Sequence, residues 1–192
     1  KLSILAADAQ YDLSCACGST PTDRRRRGLD DRWLYPVTLQ DGGHSLMFKT
    51  LVSNICSSDC KYCPLRAGQD RVRRCSLTPE EIVRAFMPYW RAGEVLGIFL
   101  TSGVCGQPDA AMSRMLATAE ILRYRERFRG VLHIKIIPGA SDAAIERAHA
   151  GGSPNRAAGR DPARRLIGDA GRNPGQRVRL DEPGRRLERG RP

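Results

Sequence analysis

The sequence contains no run of about 18 apolar residues, the length that a membrane-spanning helix needs. It also has no signal-peptide core, because Asp8 ends the apolar opening stretch too early. An initiator methionine is missing too, and a chain that begins at Lys1 is expected to be a fragment or to have a processed start. These absences predict a protein that has no membrane partner.

The cysteines do not form the even set that is typical of a secreted disulfide framework. There are seven of them, and three lie close together between Cys56 and Cys63. Clustered thiols fit metal ligands in a reducing compartment better than they fit disulfides. We therefore expect a cytoplasmic protein.

The net charge of +11 is unevenly distributed along the chain. Residues 1–150 have a net charge of +5, whereas residues 151–192 have +6, with 11 arginines and no lysine. Arginine, glycine and proline together make up 24 of these last 42 residues, so we predict a disordered tail. We interpret the tail as an out-of-frame translation or another truncation scar. This interpretation would be wrong if neither of the other two reading frames of the gene encoded a βα-like continuation. The alternative is an Arg/Gly-rich tail that binds nucleic acid.

Residues 1–45 are rich in turn-forming residues and are predicted to be an irregular N-terminal lead. A short amphipathic piece lies around residues 5–11. The run Arg24 to Arg27 could contact phosphate, or it could be a solvated basic loop.

Residues 46–150 show an alternation of strand and helix patterns. Strands are predicted at residues 45–53, 97–100 and 131–137, and helices begin after Thr78, near Ala110 and after Ser141. Thr78, Pro79 and Glu81 form a capping-box pattern, and Pro88 is expected to kink or end that helix. Repeated βα units predict an α/β fold with a parallel sheet, about half of a six- or eight-unit barrel.

The most informative motif follows the first of these strands. Cys56, Cys60 and Cys63 have the spacing C-x3-C-x2-C, with Tyr62 before the last cysteine. A cubane cluster has four irons, so three thiolates would leave one iron open to a substrate or cofactor. The alternative is a closed zinc site that also uses Cys75. Cys15 and Cys17 could bind an auxiliary metal or could be spare thiols.

This motif resembles the signature of radical S-adenosylmethionine (SAM) enzymes. Several further stretches are similar to one branch, the DNA modification/repair radical SAM proteins: residues 1–5, Tyr11-Asp12, the loop around Cys15, residues 99–104, 133–135 and 137–141. The resemblance covers residues 1–150. It implies that the chain holds the N-terminal βα units of a truncated, partial (βα)6-type radical SAM barrel.

The resemblance also implies the cofactors and their ligands. Cys56, Cys60 and Cys63 would bind a 4Fe–4S cluster, SAM would bind the open iron, and Tyr62 would lie near the adenine. Thr101, Ser102 and Gly103 stand where relatives carry a Gly-Gly-Glu-like turn that binds the SAM amino group. This sequence has no Glu there, so carbonyls and hydroxyls would have to serve. A one-electron reductant such as a flavodoxin or ferredoxin, and DNA, are the implied partners.

His133 and Lys135 are two residues apart on the third predicted strand, so they share one face. They could touch substrate in the barrel lumen, or they could cap a strand end. Two other readings of the chain stay open. One is a basic nucleic-acid-binding module with a structural zinc, and the other is an inactive fragment with an exposed sheet edge.

Overall fold

A computed structural model of the chain describes residues 1–12, 26–28, 33–38 and 43–152. The strands are β1 (Arg26–Arg27), β2 (Trp33–Thr38), β3 (His44–Leu51), β4 (Gly97–Thr101) and β5 (Val131–Ile134). The helices are α1 (Leu2–Asp8), a 3-10 turn (Ala9–Tyr11), α2 (Pro79–Arg91), α3 (Pro108–Glu120), a π-helical turn (Ile121–Arg125) and α4 (Asp142–Gly152). Predictions for Cys15, Cys17 and the tail beyond residue 152 lie outside the described residues.

The strands form one mixed sheet in the order β1-β2-β3-β4-β5. β3, β4 and β5 are parallel neighbours, as the alternation of strands and helices predicts. β1 and β2 are antiparallel additions at the β3 edge. The α/β class is therefore confirmed, and the antiparallel edge is a feature that the βα pattern did not predict.

The core lies between the sheet and helices α2 and α3. Every residue of β4 is buried, because this interior strand is paired on both sides and has side chains packed on both faces. Aromatic rings fill the space under α2. The ring centroid of Phe86 lies 5.7 Å from that of Phe48 in β3 and 5.1 Å from that of Phe128, in edge-to-face geometry.

Helix α2 begins as its sequence predicts. The Thr78 side chain accepts a hydrogen bond from the Glu81 amide, and the Glu81 carboxylate accepts one from the Thr78 amide. The sequence predicts a kink or an end near Pro88, and α2 ends at Arg91. The helix continues for three residues, because the Pro88 carbonyl still accepts a hydrogen bond from the Ala92 amide at 3.0 Å.

Three other predicted boundaries shift. α3 ends at Glu120 and continues as a π-helical turn, whereas the periodicity predicts one helix to Phe128. β5 ends at Ile134, three residues before the predicted limit. The amide of Ala144 binds the Ser141 hydroxyl at 3.3 Å, and α4 extends two residues into the predicted tail. Within the described residues, no helix is long and apolar enough to cross a membrane.

The prediction of an irregular lead over residues 1–45 is wrong for the part that the structure describes. Leu2, Leu5 and Ala6 of α1 are buried in the core, and β2 pairs with β3 along four residues. The amphipathic piece around residues 5–11 lies in α1 and the 3-10 turn, whereas β2 was missed because it contains Pro36. Their stability comes from tertiary packing, since helices this short are not stable alone.

Replacing Thr78 with Ala should destabilise the protein by about 1 kcal/mol, because the α2 amide at Glu81 loses its capping acceptor. The measurement is the free energy of unfolding in urea. Thr78→Ser is the matched control, since it keeps the hydroxyl and should stay close to the native value. Equal stabilities for the two variants would contradict the capping role.

Candidate functional site

The three motif cysteines lie on the loop that connects β3 to α2, directly beyond the carboxyl end of β3. All three are free thiols and are half-buried. Main-chain hydrogen bonds shape the loop: the Cys63 amide donates to the Cys60 carbonyl and the Ala67 amide to the Ser58 carbonyl, both at 2.9 Å. The loop therefore has a defined backbone that carries all three sulfurs.

The sulfurs themselves are not gathered into a metal site. Among the described residues, no three His, Cys, Asp or Glu side chains lie close enough together to hold a metal ion. The Sγ of Cys56 lies 3.9 Å from the Ser58 carbonyl oxygen of its own loop. Three thiols on one loop are a donor set that fits an iron–sulfur cluster, but their side chains would have to turn inward to bind it.

The loop after β4 packs against the cysteine loop. The Gly103 amide donates to the Ser53 carbonyl at 2.7 Å, and the Ser57 amide donates to the Val104 carbonyl at 2.8 Å. A Cβ atom on Gly103 would lie 2.6 Å from the Ile55 carbonyl oxygen and 3.2 Å from the Cβ of Cys56. Only glycine permits this approach, which places the predicted Thr101–Gly103 segment beside the first cysteine.

Tyr62 lies on the outer side of the cysteine loop, and its side chain is 90% exposed. A thiolate charge on the nearby Cys60 and its hydrogen bond to the phenol raise the pKa of Tyr62, because both disfavour the phenolate. The positive charge of Lys135 opposes this shift. Tyr62 is therefore an exposed aromatic ring on the cysteine loop.

The sheet face opposite α2 and α3, which we call the inner face, carries the aligned side chains of Lys49, Phe99 and His133. Lys49 is paired with Phe99, and Phe99 with His133, across the three parallel strands. The Lys49 ammonium lies 5.0 Å from the centroid of the Phe99 ring, and the His133 ring lies 4.4 Å from it. One polar and aromatic row thus crosses the sheet below the cysteine loop.

Asp12, at the end of the N-terminal segment, joins the three parallel strands. Its carboxylate accepts a hydrogen bond from the Thr101 hydroxyl at 2.8 Å and forms an ion pair with Lys135 at 2.9 Å. Its carbonyl accepts a hydrogen bond from the ammonium of Lys49, whose side chain is almost wholly buried. A single residue therefore holds side chains from β3, β4 and the segment after β5.

Sequence reasoning gave no role to Asp12 or Lys49. Lys49 could have been identified from the sequence, because a lysine inside a buried strand must have polar partners. No sequence pattern beyond the local resemblance pointed to Asp12, since its partners are 37, 89 and 123 residues away.

The structure places the two predicted substrate-facing residues on the inner face. The Lys135 side chain is 38% exposed and approaches Asp12, whereas His133 packs against Phe99 and keeps one edge exposed to solvent. Partial burial lowers the pKa of His133, and the nearby Asp12 opposes that shift. The imidazole is therefore biased toward its neutral form, whereas the charge of Lys135 is paired with the Asp12 carboxylate.

Cys75 is held away from the cysteine motif. Its amide donates to the Asn54 side chain at 2.7 Å, and its sulfur lies 3.9 Å from the Lys1 carbonyl. Burial raises the pKa of the Cys75 thiol. A zinc site with Cys75 as fourth ligand would require this residue to leave its present contacts.

A scan against protein-family models, a search of the curated proteins and a search of the solved structures each found no match to this chain.

The Asp12–Lys135 ion pair should stabilise the connection between the N-terminal segment and the sheet. We expect Asp12→Asn to lower the free energy of unfolding by about 1–3 kcal/mol. The reason is that a neutral amide replaces the charged carboxylate that accepts hydrogen bonds from Thr101 and Lys135. A double-mutant cycle with Lys135→Met measures the coupling. Strictly additive effects of the two substitutions would show that the pair contributes nothing.

Proposed function

We propose that this chain is the N-terminal part of a radical SAM enzyme, in which Cys56, Cys60 and Cys63 bind a 4Fe–4S cluster. The observation that carries the proposal is the position of the cysteine loop. It follows the carboxyl end of β3, where ligands bind in parallel α/β sheets, and the loop after β4 packs directly against it.

The last residue of β4 and the residue that follows it suit the recognition of an amino group. The Thr101 hydroxyl donates its proton to Asp12, and the Ser102 hydroxyl donates its proton to the Gly103 carbonyl. Each oxygen therefore presents lone pairs, which an ammonium group can use. These acceptors would serve in place of the glutamate that is missing from this turn.

By the resemblance, a bound cluster supplies the electron for the reductive cleavage of SAM to a 5′-deoxyadenosyl radical. The chain's own residues would hold and orient the reactants. Tyr62 would contact the adenine, and the row of Lys49, Phe99 and His133 would form the floor of the substrate space. Buried apolar side chains behind this floor would exclude water. A flavodoxin- or ferredoxin-like partner would deliver the electron.

The proposed substrate class is DNA, and the proposed reaction is its modification or repair. Positive charge beside the cysteine loop supports this choice. Arg71 and Arg73 are exposed, and neither lies within 4 Å of a carboxylate among the described residues. Such side chains suit contacts with phosphate. β3, β4 and β5 would be the first three strands of a partial barrel, with β5 as the edge at which further units join.

Anaerobic reconstitution with iron and sulfide tests the cofactor. We expect about four irons and four sulfides per chain with a brown charge-transfer band. Cys60→Ala should lose most of the bound iron, whereas the matched control Cys105→Ala, another half-buried free thiol nearby, should keep it. One zinc per chain and no colour would contradict the proposal and would favour the zinc-binding module instead. Formation of 5′-deoxyadenosine with SAM and dithionite then tests the reaction.

A further inference from the structure

Arg74 lies beneath the cysteine loop and binds three main-chain carbonyl groups. Its guanidinium donates to the carbonyl of Asn54, and to those of Leu65 and Arg66 at 2.7 Å each. The planar, forked guanidinium can bind several acceptors at once in a fixed arrangement.

The three carbonyls lie on both sides of the cysteine motif. Asn54 comes two residues before Cys56, and Leu65 comes two residues after Cys63. By binding both, Arg74 fixes the separation between the two ends of the loop.

Asn54 reinforces the same closure from the strand side. Its buried side-chain amide donates to Asp8 at 2.7 Å and to the Arg73 carbonyl at 2.9 Å, and its oxygen accepts from the Cys75 amide at 2.7 Å. The segment that carries Arg74 is therefore itself held firmly against the end of β3.

The charge of Arg74 is not balanced by a carboxylate. Within the described residues, no Asp or Glu oxygen lies within 4 Å of its guanidinium, and only neutral carbonyls bind it. The side chain is partly buried, and it lines a cavity of about 380 Å³ together with Cys56 and the exposed residue Asp70. A partly buried cation beside a thiol is suited to stabilise negative charge on a group bound there.

We propose that Arg74 is a positioning residue, which closes the cysteine loop for cluster binding and makes the bound cluster easier to reduce. The proposal rests on the function proposed above. Its first part concerns the geometry of the loop and holds for the chain without a cluster. Its second part follows because positive charge near an iron–sulfur cluster favours the reduced, more negative state.

Hydrogen exchange of the full chain without a cluster tests the first part. In Arg74→Met, the loop amides of Ser57, Cys63 and Ala67 should exchange about 10-fold faster, because loss of hydrogen bonds to a charged donor loosens the loop. The exchange rates of the α2 amides should be unchanged.

Arg71→Met is the matched control, because it removes an exposed arginine from the same segment. Arg74→Lys keeps the charge and most of the side chain but cannot reach both loop ends, so it should also loosen the loop. Loop exchange at the native rate in both Arg74 variants would overturn the positioning role.

The reconstituted protein tests the second part. Removal of iron by a chelator should be about 10-fold faster in Arg74→Met and in Arg74→Lys than in Arg71→Met. The cluster potential should become more negative in Arg74→Met and stay near the native value in Arg74→Lys and Arg71→Met. An unchanged potential in Arg74→Met would overturn the electrostatic role. If the native chain takes up no iron, the proposed function and the electrostatic role both fail, while the exchange result still decides whether Arg74 positions the loop.

Discussion

The parallel pairing of β3, β4 and β5 is the constraint on which the rest of the structure depends. Because the three strands run in the same direction, their carboxyl ends meet at one edge of the sheet. The cysteine loop leaves β3 at this edge, and the loop with Gly103 leaves β4 beside it. Residues that are 47 to 50 positions apart in the chain, such as Ser57 with Val104 and Ser53 with Gly103, therefore form one surface.

The N-terminal segment completes this arrangement from the inner face. Asp12 brings together a lysine of β3, a hydroxyl of β4 and a lysine beyond β5. Lys49 is tolerated in the middle of a buried strand because its ammonium donates to a main-chain carbonyl and lies near two aromatic rings. The polar inner face is thus stabilised by partners that come from outside the βα units.

The cysteine loop has a backbone that is held in place at both ends. Hydrogen bonds from neighbouring loops and from Arg74 hold its ends, whereas the three thiols do not form a metal-binding group among the described residues. Such a division is physically reasonable, because three converging thiolates without a metal would repel one another. In the enzyme proposed above, the thiol side chains would turn toward a metal on a backbone that is already organised.

Local patterns in the sequence determined the α/β class, the parallel strands and the start of α2, because strand runs, helical periodicity and the Thr78–Glu81 capping box act over a few residues. They also determined the spacing of the cysteines. Tertiary structure alone decided that α1 and β2 join the core, that Asp12 binds Lys135, and that Arg74 closes the cysteine loop. These contacts join residues far apart in the chain, and no short-range pattern encodes the distance between two side chains that only the folded sheet brings together.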